Sequence, residues 1–147
     1  MKKLLTLLLG LLSSNTQADA NNSPEQLVKS FQAEYLYWNM QALKFDSKHG
    51  NSDATQSIER GYQKLLQKYT QPGFKGEPIA YSSDPAHDPS KENIISSEVT
   101  ETNAIIRTEL PRKYYTPTYE YHFVKMHERW FLTQVYLVDN DGLYPSL

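Results

Sequence analysis

Two spacings of apolar residues divide this chain. Leu27, Phe31, Tyr35, Trp38, Ala42 and Phe45 recur three or four positions apart, which is the period of one helix face. Ser23-Pro24-Glu25-Gln26 precedes them as a helix start, with Ser as N-cap, Pro in the first turn and Gln closing a capping box. The spacing predicts a helix to about Phe45, followed by a polar break, DSKHGNSD. Asp53 with Gln56 caps a second helix. Its stripe is Ile58, Tyr62, Leu65, Leu66 and Tyr69, and Pro72-Gly73 ends it. Beyond this point the helical period is lost. EPIAYSS reads as a short edge strand and DPAHDPSKEN as a turn-rich loop. IISSEV and AIIRTEL flank Thr-Glu-Thr-Asn as a hairpin, PRKYYTP is a second loop, and Tyr119 to Val138 is a last hairpin. Helices first and antiparallel strands afterwards predict an α+β domain with helices on one sheet face.

The last hairpin, YEYHFVKMHERWFLTQVYLV, carries apolar residues on both faces, where a half-buried strand alternates. A turn of two residues (His127-Glu128) or four (Met126 to Arg129) pairs Lys125 with Trp130, Phe123 with Leu132, Tyr121 with Gln134 and Tyr119 with Tyr136. That face is expected to pack on the helices. Tyr119, Tyr121, Phe123, Trp130, Gln134 and Tyr136 would line the wet end of a cavity. The opposite face pairs Val124 with Phe131, His122 with Thr133 and Glu120 with Val135, and Leu137 continues it. His122, Val124, Phe131, Thr133 and Val135 are therefore candidates for a partner surface. An odd loop or a bulge would shift these pairings.

Composition narrows the function. Lys2 and Lys3, the apolar run Leu4 to Leu12, and Ala18-Asp19-Ala20 have the anatomy of a secretory signal peptide over residues 1–20, leaving one domain over 21–147. The apolar run is too short to span a membrane. No cysteine is present to anchor a lipoprotein or form a disulfide, so the expectation is a soluble protein of the bacterial periplasm. Removing two lysines and one aspartate moves the formal charge from −2 to −3, which argues against a nucleic-acid or polybasic membrane partner. His49, His87, His122 and His127 form no metal-ligand spacing, so no metal or other cofactor is expected. No G-x-S-x-G elbow, cysteine nucleophile or glycine-rich phosphate loop occurs, and no catalytic residue is assigned. Glu120, between Tyr119 and Tyr121, fits a pocket carboxylate loosely, although a solvated strand position is the commoner role. Gly61 reads as a site of close helix packing. Eleven tyrosines are unusual, and Tyr suits both half-buried strands and recognition surfaces.

The order of elements resembles a known family. Two helices, the second ending in Lys68-Tyr69-Thr70, are followed by the loop DPAHDPSKENI, the strand AIIRTEL and a terminal YEYHFVKMHERWFL. This is similar to the NTF2-fold immunity proteins of bacterial polymorphic toxin and type VI secretion systems, with His127-Glu128-Arg129 before Trp130 in place of the commoner D-G-K-W turn. The resemblance implies a cone-shaped curved sheet wrapped around the helices. It also implies neutralisation of a cognate toxin by binding, without catalysis. Asp84 and Asp88 would steer a basic partner, and exposed aromatics such as Tyr114 and Tyr115 would anchor it. A homodimer through the sheet is a further expectation. The competing readings are a small NTF2-like isomerase, dehydratase or hydrolase, and a ligand carrier, each with its site inside the cone.

Overall fold

The computed structural model describes residues 22–49, 52–77 and 80–147, with the side chains of 47–49, 52 and 53 left aside. The expected signal peptide, and the cap expected of the Asp53 side chain, lie outside the described residues. Helix α1 spans Pro24–His49 and α2 spans Ser52–Tyr69. The capping box at the start of α1 is formed as expected: Gln26 N donates to Ser23 Oγ at 3.3 Å, and Ser23 N donates to Gln26 Oε1 at 2.9 Å. Five antiparallel strands follow: β1 (Asn93–Val99), β2 (Asn103–Glu109), β3 (Thr118–Met126), β4 (Arg129–Asp139) and β5 (Gly142–Pro145). They lie in chain order as an open sheet, and the helices cover one face of it. The chain is thus α+β. Among the described residues no helix is long and apolar enough to cross a membrane.

One core joins the two helix stripes to the sheet. Leu27, Phe31, Tyr35 and Trp38 of α1 and Ile58, Tyr62, Leu65 and Leu66 of α2 pack with Ala104, Ile106, Tyr119, Tyr121, Phe123, Leu132 and Val135. Gly61 has the expected role, because a Cβ there would stand 3.2 Å from the Trp38 ring. The described residues of Glu77 to Ser83 form no strand. Instead the Asn39 side chain takes the place of a strand partner, donating to Ser82 O at 2.8 Å and accepting from Ser82 N at 3.0 Å. Strand β5 was not anticipated, although Asn140-Asp141-Gly142 before it is a hairpin-turn signal.

The β3–β4 hairpin corrects the expected faces. Its turn is the two-residue His127-Glu128, both at positive φ (49° and 61°), as a type I′ turn requires. Near the turn the pairs are those expected: Lys125 with Trp130, Val124 with Phe131 and Phe123 with Leu132. A bulge then sets Thr133 out of register, so that His122 pairs with Gln134, Tyr121 with Val135, Glu120 with Tyr136 and Tyr119 with Leu137. The Thr133 hydroxyl donates to His122 O at 3.0 Å within the bulge. Beyond it, every side chain of β4 changes face relative to the expectation. Val135, expected on a partner surface, is 0 % exposed in the core, and Leu137 packs against that core. Gln134 and Tyr136, expected to line a cavity, share the opposite face with His122 and Glu120.

Candidate functional site

Chemistry-bearing side chains gather in three places. The first is a sealed polar hub between α1 and the sheet. Glu92, just before β1, is its centre. Its Oε1 accepts from Thr108 Oγ1 at 2.6 Å and from the Tyr121 hydroxyl at 2.8 Å, and its Oε2 lies 3.2 Å from His87 Nδ1. The Tyr121 hydroxyl is also 2.8 Å from His87 Nδ1 and accepts from Gln32 Nε2 at 3.4 Å. An ionised carboxylate only accepts, so Nδ1 carries the proton and shares it between Glu92 and the tyrosine oxygen. Lys29 Nζ donates to the Glu92 carbonyl from outside. The imidazole is boxed by Tyr119, Tyr35 and Phe31, with ring centres at 4.7, 5.0 and 5.9 Å. Burial pushes the Glu92 carboxyl up, but its hydrogen bonds and the adjacent imidazole outweigh burial and hold it below the usual 4.5. Burial and the Glu92 charge push the Tyr121 phenol well above its ordinary value.

A His–Glu–Tyr group has the parts of an acid–base catalyst. Here Gln32, His87, Glu92, Thr108 and Tyr121 are all 0–1 % exposed, and aromatic rings fill the space around them. The arrangement fastens the 84–92 loop and β1 to α1, β2 and β3. Of these five only Tyr121 was singled out from sequence, as pocket-lining. It lies in the core with Tyr119 and Phe123, while Trp130 is partly buried against them. His87 and Glu92 stand in a polar loop whose composition carries no sign of burial.

The second cluster lies on the sheet face away from the helices. Glu120 pairs with Arg107 across the β2–β3 ladder, and its Oε2 is 2.8 Å from His122 Nε2. His122 in turn meets the Tyr136 ring at 4.8 Å. Burial raises the Glu120 pKa, but Arg107 and His122 outweigh it and the carboxyl sits low. Glu120 therefore faces away from the interior expected of a pocket carboxylate, and two partners hold it ionised. Val124, Phe131 and Thr133 of the expected partner surface share this face. They are half-buried, and Arg129 lies 4.9 Å over the Phe131 ring.

The third cluster is made by two loops. Asp84 pairs with Arg112, whose Nη2 also donates to Pro85 O at 2.8 Å. Asp88 organises the adjacent turn, accepting from Ser90 N at 2.9 Å. Asp84, Asp88, Lys91, Arg112 and Lys113 line a cleft of about 370 Å³. Beside it Tyr114 and Tyr115 are 84 % and 61 % exposed, with Lys113 and Arg112 over their rings at 4.9 and 5.7 Å. The fold thus brings Asp84 and Asp88 next to the loop of Tyr114 and Tyr115, four candidates that sequence could only name separately. Among the described residues no three His, Asp or Glu side chains converge as metal ligands do. No known family, curated protein or solved structure matches this chain.

Proposed function

We propose that this is an exported binding protein of NTF2-like fold, acting as an immunity protein that occludes a cognate toxin in the periplasm. The observation that carries the binding half of this reading is the sealed hub. The side chains able to do chemistry inside the fold are shut away from solvent, while paired charges and bare tyrosines stand on the 84–92 and 111–117 loops. Tyr and Arg in such settings are the usual anchors of protein interfaces. The immunity role and the location rest on the resemblance of the element order and on the signal-like residues 1–20. Co-expression with the product of the adjacent gene tests it. A stable complex and protection of the host from that product are expected, with both lost in a Tyr114→Ala, Tyr115→Ala double variant. Absence of both complex and protection in the unaltered chain would sink the proposal.

A further inference from the structure

A separate cleft of about 340 Å³ opens between the two helices and the segment around Gly76 and Tyr81. Three aromatic rings wall it. Trp38 and Tyr62 lie 5.0 Å apart at 43°, and Tyr81 stands nearly perpendicular to Trp38 at 6.4 Å. Trp38 is pinned by its Nε1, which donates to Ile58 O at 3.0 Å, so its ring is held in place by the helix pair. Glu59 is exposed and is the one charged side chain among the described residues lining the cleft. A second carboxylate, Asp46, lies beside the Tyr81 hydroxyl. Below the wall the Tyr62 hydroxyl is buried and meets no hydrogen-bond partner among the described residues, which the fold tolerates at a cost.

Aromatic faces carry negative potential, and two carboxylates at the rim add to it, with no lysine or arginine among the described residues of the lining to cancel it. We infer that this cleft binds an organic ammonium group, held by the faces of Trp38 and Tyr81 and by the charge of Glu59. The volume admits an alkylammonium of a few carbons, whether a free small amine or a lysine side chain of another protein. This inference is independent of the immunity reading and uses none of its loops.

The chain has two tryptophans, so a Trp130→Phe variant leaves Trp38 as the only indole reporter. Its emission is followed while n-butylammonium, Nα-acetyl-lysine methylamide or neutral 1-pentanol is added. A saturable change is expected with at least one cation and none with pentanol. Glu59→Gln and Tyr81→Leu should each weaken cation binding about ten-fold, while thermal melts show the fold intact. Binding of butylammonium alone assigns the cleft to a free amine, and equal or tighter binding of the lysine derivative assigns it to a protein side chain. A pentanol response equal to the cations', no saturable response to either cation, or affinity unchanged in both variants would overturn the inference.

Discussion

Strand β3 serves two His–Glu pairs, one on each face. Tyr121 points to the His87–Glu92 pair, whose side chains are 1 % and 0 % exposed, while Glu120 pairs with His122 on the other face, at 8 % and 26 %. Both glutamates are held ionised, yet by different means. Glu92 is satisfied by neutral donors, Thr108 and Tyr121, together with the imidazole, so each of its oxygens is occupied. Glu120 leans on Arg107, a cation that is nearly half exposed and screened by water. The same two residue types therefore fasten the fold on one side and decorate it on the other. What differs is whether water can replace a lost partner.

The sharpest way to break this contrast is Glu92→Ala. It leaves the Thr108 and Tyr121 hydroxyls without their acceptor and the His87 N–H with Tyr121 alone in a dry interior, and should cost about 3–5 kcal/mol, measured from urea unfolding. A loss under about 1 kcal/mol would mean that water enters the hub. Tyr121→Phe keeps the ring and removes the hydroxyl that joins Glu92, His87 and Gln32, so about 1–3 kcal/mol is expected by the same measurement. Glu120→Gln should cost no more than about 1 kcal/mol, because solvent reaches its partners. Tyr62→Phe is the control in the opposite sense. Its hydroxyl has no partner to lose among the described residues, and the substitution should be neutral or slightly stabilising.

Acid should separate the two pairs as well. Both glutamates have folded pKa values below the ordinary 4.5, so each contributes stability that is present above that value. The contribution is lost as pH falls through the folded pKa. The melting temperature should therefore change little between pH 7 and about 5 on account of these groups, then fall below about 4.5. In Glu120→Gln the acid-side fall should be shallower while the Glu92 part remains. A Glu120→Gln profile identical to that of the unaltered chain would show that the outer pair contributes nothing to it.

The helices were legible because their information is local: Leu27 to Phe45 and Ile58 to Tyr69 write the 3.6 period directly. The three pairs beside the turn followed from parity alone, which left a turn of two or four residues open until the structure showed His127-Glu128. The hub was illegible because its members come from four separate places: α1, the 84–92 loop, β2 and β3. A glutamate in DPAHDPSKEN has the same spelling whether solvated or buried. The outward turn of Gln134 and Tyr136 was missed for a narrower reason. Thr133 suits a regular strand as well as a bulge, and nothing in its neighbours marks the extra residue.

That single threonine acts on the hairpin as a phase shift does on a wave. Upstream and downstream of it, β4 obeys the same two-residue alternation, but the two halves are out of step, and only together do Trp130, Leu132, Val135 and Leu137 reach one side. Substituting Thr133 should therefore be mild, and deleting it would leave a regular strand with Val135 and Leu137 still on the core side. Keeping Thr133 while pairing the strands without the bulge would instead turn Val135 to solvent and Gln134 into the core. For this stretch phase is a stricter constraint than identity, so a residue inserted between Gln134 and Val138 should be far less tolerated than a point change at Thr133 or its loss.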